Sequence, residues 1–495
     1  MEVLNVRRLT PGIKALLVLT CAVMCGFMWR VRGSHGWGSM WGMFAVGVML
    51  VLFIFAFFGN RKKMSLEAIP IAVILLGITN GGWGTLNSQM GGYLGSTVPF
   101  TGQETDAVIS ISPWSGMAAM LLLGFGWMPL FAMFIGTLFS KKEYKIGHYV
   151  ALIAVFYVVV YVFQFFVAHY IVPFVNSEAV EAFKQGLADR GFEMTPMMSY
   201  IKNLGNEAWF KKIPFGRNYY ATVRIVSYSA AALALSLALL IAKRDKVAAF
   251  ISFAINLICS VSITLADVVM VMDSDAGFFA NVNVPRFLQG GNWSLWEYLT
   301  GFLLGFGIML LLVCLPKSIT GGDGDFDYTL PINNRKLYAA YSAVLTLFAT
   351  FVVTVARPAG MRIAELVVFK GWFDNEDLLT YVIIAVLCVI GIIPCAIIAK
   401  KNVVKKEMPN LLNMRTEDFC LKAIPVYFLV TAVLYFILSD SGIFYCIPFA
   451  EIKSFASLLE MIRSGRILIV TLMLVSFVVF NALYLAVSKK AVKKK

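Results

Sequence analysis

Charge is scarce in this chain. Only 14% of its 495 residues are Asp, Glu, Lys or Arg, against about a quarter in soluble domains. That leaves too little polar surface to face water on all sides, so a soluble enzyme or a nucleic-acid-binding domain is excluded. Histidine is nearly missing, with three residues, and no His, Cys and carboxylate spacing reads as a metal site. The loops carry no Walker A sequence, so direct coupling to ATP is not expected. Of the eight cysteines, only Cys446 falls in an expected outside loop; the others lie in or beside apolar runs. A disulfide framework is therefore excluded. No cleavable leader is expected either, because the first apolar run ends in Arg30-Val31-Arg32 and not in small residues. No organic cofactor is implied.

What fills the chain instead is apolar sequence. Hydrophobic residues make up 59%, and the mean hydropathy is +0.79. The runs recur at a length that crosses about 30 Å of hydrocarbon as helix. Twelve spans are expected: 13–29, 40–58, 66–82, 115–139, 147–173, 219–241, 247–271, 295–316, 337–356, 379–399, 420–439 and 466–487. Helix is the expected form, since open backbone cannot face lipid. The fold class is thus an all-α polytopic membrane protein.

The net charge of +14 reads as orientation. With the N-terminus inside, the short inside loops carry Arg7 and Arg8, Arg61-Lys62-Lys63, Lys141-Lys142, Lys243-Arg244 and Lys400-Lys401, and the tail carries Lys493-Lys494-Lys495. A multi-pass protein of the plasma (inner) membrane with both termini cytoplasmic is expected, with lipid and not nucleic acid as its surroundings. Residues 174–218 form an outside insert with helix-like stretches near 177–189 and 197–210, separated by Gly191 and Pro196. It either caps the outside face or lies along the headgroups. Residues 317–336 read as a solvated inside linker: Asp323, Asp325 and Asp327 alternate as in a calcium loop, but the required glycine and glutamate are missing.

A polar, Trp-rich segment recurs. Arg32-Gly-Ser-His35-Gly-Trp37-Gly-Ser-Met-Trp41 precedes span 2, and Arg286-Phe-Leu-Gln-Gly-Gly-Asn292-Trp293-Ser-Leu-Trp296 precedes span 8. A shorter relative, Asn80-Gly-Gly-Trp83-Gly-Thr-Leu-Asn87-Ser-Gln89, follows span 3. The two longer copies are equivalent if residues 1–245 and 246–495 form two halves of six spans in parallel orientation. The Gly59-Asn60-Arg61-Lys62-Lys63 turn resembles the basic turn after the second span of major-facilitator proteins, without its acidic residue. The resemblance is one of fold and carries no function of its own.

These motifs supply the candidate substrate residues: Arg30, Arg32, His35, Trp37, Trp41, Asn80, Trp83, Asn87, Gln89, Arg286, Asn292, Trp293 and Trp296. Arginine holds a carboxylate or phosphate through paired hydrogen bonds; otherwise it snorkels to headgroups. Trp faces beside neutral amides suit a polar ring, while each Trp alone is equally an interfacial anchor. Asp267 is the candidate ion-coupling residue, since a carboxylate inside a span costs about 2.5–3.5 kcal/mol and is retained for a reason. It is expected to hold H+ or Na+, or to pair with Arg224; alternatively the span ends early and leaves it in water with Asp273 and Asp275. Glu297 is placed similarly at the start of span 8. Gly301 and Gly305 allow close helix approach, and Gly124, Gly126 and Pro129 interrupt span 4.

The expected function is secondary transport of a small polar or anionic solute, such as a sugar or sugar acid. The alternative is a membrane transferase or ligase acting on lipid-linked glycans or acyl groups at the outer face, supported by the outside arginines, His35, Glu104, Asp106 and the 174–218 insert. A non-catalytic assembly partner is the third class.

Overall fold

The computed structural model describes residues 9–32, 39–59, 64, 68–79, 97–99, 108–270, 293–315, 356–369, 375–404, 416–438, 451–463 and 467–492. In chain order its elements are α1 (Pro11–Arg32), α2 (Ser39–Phe58), α3 (Ala68–Ile78), β1 (Thr97–Pro99), β2 (Val108–Ser110), α4 (Pro113–Phe125), α5 (Pro129–Phe139) and α6 (Ile146–Val162). A π-helical turn (Phe163–Val167) joins α6 to α7 (Ala168–Val175), followed by α8 (Ser177–Asp189), α9 (Pro196–Lys202), α10 (Glu207–Phe210), α11 (Gly216–Ile241) and α12 (Lys246–Met270). The remainder is α13 (Trp293–Cys314), α14 (Arg357–Phe369), α15 (Glu376–Val404), α16 (Thr416–Leu438), α17 (Phe455–Arg463) and α18 (Leu468–Val492).

Among the described residues, six helices are long and apolar enough to cross a membrane, and seven if the bent pair α4–α5 counts as one. Shorter apolar helices stand at Ala45–Phe58, Ala68–Ile78 and Leu378–Ile393. The chain is therefore a multi-pass helical membrane protein. A helix stands at every expected span except the ninth, 337–356, nearly all of which falls outside the described residues.

Side-chain distribution fits lipid as the outer solvent. On α12, Phe250, Phe253, Leu257, Val261 and Leu265 are exposed at steps of three and four residues, while Ser252, Asn256, Ser260 and Asp267 are buried on another face. This is the reverse of a water-soluble amphipathic helix. In water such an apolar stripe would be a liability; in hydrocarbon it costs nothing.

The chain divides into two compact units: residues 1–78, 141–145 and 297–495, and residues 79–140 and 146–296. The boundary expected at 245/246 falls between α11 and α12, which pack on one another inside the second unit. The units are thus nested in sequence, where the expected halves are consecutive.

In the first unit, α1 packs against α2 and α18, and α16 against α2. The α13 glycines meet α1 directly: a methyl on Gly301 would collide with the Cys25 carbonyl, and one on Gly305 would lie 2.8 Å from Cys25 Cβ. Gly26 of α1 answers by accommodating the Tyr298 ring of α13. The Gly301/Gly305 spacing thus does what it does in membrane helix pairs, bringing backbones close.

In the second unit, α12 packs on α4, α5 and α11, and α11 on α6. Asp245 caps α12 by accepting from Ala248 N at 3.0 Å and also takes the Ser140 hydroxyl from the end of α5. The insert has a core of its own. Helix α8 coincides with the expected stretch 177–189. The expected stretch 197–210 divides into α9 and α10, because Leu204 and Gly205 adopt left-handed backbone (φ 49° and 61°). Phe183 and Phe210 are buried against Tyr219 at the start of α11, and Tyr200 is buried against Phe210.

Candidate functional site

Most sequence-predicted site residues lie outside the described residues: His35, Trp37, Asn80, Trp83, Asn87, Gln89, Arg286 and Asn292, together with Glu104 and Asp106. Arg32 ends α1, Trp41 lies in the first turn of α2, and Trp293 opens α13. Trp296 is 3% exposed, so its indole is not an exposed interfacial anchor. Arg30 donates to Glu297 at 3.0 Å. Its charge is thus balanced by the chain's own carboxylate, and the same pair ties α1 to α13.

Asp267 is fully buried within α12, which continues to Met270. The reading in which the span stops before it and leaves it in water is overturned. Arg224 is not its partner: the guanidinium bonds the hydroxyls of Tyr220 and Tyr228 at 3.0 and 3.5 Å.

The second unit brings together a polar seam that the sequence only hinted at. Helices α4 and α5 are bent by 51° across Gly126–Met128. Pro129 has no N–H to donate, and Gly124 and Gly126 remove the side chains that would fend off neighbours. Side chains of neighbouring segments donate to carbonyls around the bend, one of which, that of Leu122, also keeps its helical bond from Gly126 N at 3.0 Å. Here Ser260 of α12 donates to the Leu121 carbonyl at 2.6 Å, Ser229 of α11 donates to the Leu122 carbonyl, and Thr79 donates to the Trp127 carbonyl at 3.3 Å. Methyl groups on Gly124 and Gly126 would strike the Ser260 and Ser229 backbones. The bend is therefore built into its neighbours.

Asn256 sits one turn before Ser260. It lies ten residues into α12, or about 15 Å along its axis, near half of a bilayer core. It is fully buried, and neither amide atom meets a hydrogen-bond partner among the described residues. Burying such a group without partners costs about 1–3 kcal/mol. Chemically, the seam offers an amide and hydroxyls and, about three turns further along one helix, a carboxylate. Such groups can hydrogen-bond a polar solute and hold a small cation. Among the described residues no group of three His, Cys, Asp or Glu side chains gathers to bind a metal ion.

A second concentration of polar groups lies where the insert meets α11. The Arg224 guanidinium stands 5.6 Å from the ring centres of both Tyr220 and Tyr228. A span arginine costs about 2.5–3.5 kcal/mol, and two cation–π contacts offset about 0.5–2 kcal/mol each. Tyr200 stacks on Tyr220 at 6.0 Å and meets the His169 ring edge-on at 5.2 Å. Burial pushes the Tyr200 hydroxyl well above the usual phenol range, so it stays neutral. His169 Nδ1 bonds the Tyr219 hydroxyl at 2.7 Å.

Sequence reasoning missed this cluster because its residues come from three separated segments with no shared motif. The signal available was Arg224 itself, eight residues into a helix and flanked by tyrosines four positions away on each side. Also missed were the β1–β2 pair, where Val98 faces Ile109, and helices α14 and α17, which are too short or too polar to read as spans.

Comparison of the chain with protein-family models, with curated proteins and with solved structures finds no match; the functional reading rests on these residues.

Proposed function

We propose that the chain is a secondary transporter of a small polar or anionic solute, working by alternating access. The observation that carries this reading is the bent span α4–α5 packed against the buried polar face of α12. Interrupted helices beside buried polar groups are the usual form of a solute site at mid-membrane, and polar groups kept inside a span are retained for function. In this reading Asn256 and Ser260 contribute to the pathway, and Asp267 binds the coupling H+ or Na+. The Trp-rich segments supply Arg32, His35, Trp41, Arg286 and Trp293 as candidate solute contacts. Twelve spans, a parallel repeat of two six-helix halves, and cytoplasmic termini in the plasma (inner) membrane complete the proposal. The transferase alternative draws on the outside arginines, His35, Glu104, Asp106 and the 174–218 insert.

The test is uptake into proteoliposomes under an imposed H+ or Na+ gradient, with sugars and sugar acids offered as solutes. Asp267→Asn keeps the shape and an acceptor but cannot carry a proton or a full charge. It should abolish gradient-driven accumulation and leave solute exchange partly intact. Unchanged accumulation in this variant would make Asp267 a structural residue.

A further inference from the structure

Arg224 differs from Lys202 and Lys212, which are exposed, and from Lys211 and Arg217, which pair with Glu207, in being half-buried between two tyrosines. Between residues 196 and 224 stand five basic residues, Lys202, Lys211, Lys212, Arg217 and Arg224, and one acid, Glu207. Glu207 is already engaged, by Lys211 at 3.1 Å and Arg217 at 3.2 Å. Arg224 bonds the Tyr220 and Tyr228 hydroxyls, and no carboxylate among the described residues pairs with it.

Arg224 as a residue is half-buried. Tyr220 and Tyr228, one turn before and one turn after it on α11, hold it in place. Tyr228 is braced edge-on by Phe156 at 5.7 Å, and Tyr220 by the Tyr200 stack. Two of its five N–H groups go to the tyrosines, and the others are left for an external acceptor. The helix that carries Arg224, α11, packs against the π-helical turn at Phe163–Val167, a distortion frequent at functional sites. A fixed, uncompensated guanidinium with a planar fork of donors is suited to two oxygens of one anionic group.

We propose that Arg224 is an anion-binding site that takes a carboxylate or a phosphate, held by the guanidinium between the two tyrosine rings. The same chemistry is offered by a soluble acid and by a lipid headgroup phosphate, and the experiment separates them. The inference does not depend on the transport reading, because binding is measured without flux.

The full chain is placed in nanodiscs of phosphatidylcholine and titrated with inorganic phosphate, glucuronate and, as the neutral control, glucose, following thermal stability. Phosphate or glucuronate should raise the melting temperature saturably, and glucose should not. Arg224→Gln should weaken the response about tenfold or more, as expected for loss of a charged hydrogen-bonded pair. Arg224→Lys, which keeps the charge and guards against a folding failure of the first variant, should restore it only partly for lack of the fork. If the source is lipid, mass spectrometry should find phosphatidylglycerol retained by the native protein, lost from Arg224→Gln and reduced in Arg224→Lys, and phosphatidylglycerol nanodiscs should blunt the soluble-anion response. Two results would overturn the proposal: neither a saturable anion response nor retained anionic lipid in the native protein, or responses unchanged in both variants. Loss of gradient-driven uptake with anion binding intact would remove the transport reading alone.

Discussion

Arg30 and Arg224 both sit in or at the end of apolar helices, yet their surroundings differ. Arg30 meets Glu297 at 3.0 Å and, with Gly301 and Gly305, clamps α13 to α1. Arg224 meets two tyrosines and no carboxylate among the described residues. The first unit neutralises its charge locally and packs backbone on backbone. The second keeps an unbalanced cation, a fully buried amide without described partners, and a bent span. Stability is served by the first pattern. The second costs stability in three places, which is what a site under functional demand does.

This contrast can be broken by substitution. The largest stability effect is expected at Gly301→Leu, where the new side chain must displace the Cys25 carbonyl and Trp29. Overpacking a close helix contact should cost about 3 kcal/mol, read as a lowered melting temperature and loss of monodisperse protein in detergent. Next is Glu297→Gln, which leaves Arg30 without a countercharge. The side chains are 15% and 11% exposed, so the cost should be about 1–3 kcal/mol, below that of a fully sealed pair. The double change Arg30→Met with Glu297→Met should recover most of it; no recovery would mean the pair does more than balance charge. The smallest effect has the opposite sign. Asn256→Leu removes a buried amide and should raise stability by about 1 kcal/mol while abolishing uptake. A loss of stability there would show that Asn256 is a satisfied structural residue and would erase the contrast.

The sequence reveals those parts of the fold that depend on local chemistry. Apolar runs announce helices, Gly124, Gly126 and Pro129 announce the bend in span 4, and the Gly301/Gly305 spacing announces a close pair. Asn176 and Thr195, which cap α8 and α9 by accepting from Ala179 N and Met198 N, make the insert helices readable too. What was not legible was partnership. Nothing local in Arg30 or Glu297 says that residues separated by 267 positions meet. Nothing in Tyr200 says that it stacks on Tyr220. The nested units were also hidden, because the order of helices along a chain does not fix which of them share a core. The site residues chosen from the Trp-rich segments were selected by composition, and most fall outside the described residues.

The central claim is that the seam beside the bent span is reached alternately from the two sides of the membrane. A single cysteine at position 256, placed by Asn256→Cys in a chain whose native cysteines are replaced, tests this most directly. An impermeant thiol reagent would be applied to intact cells and, separately, to inside-out vesicles. Alternating access predicts modification from both sides, slowed by a transported solute. Labelling from neither side, or from one side only and indifferent to every solute offered, would contradict the account and leave the seam as packing.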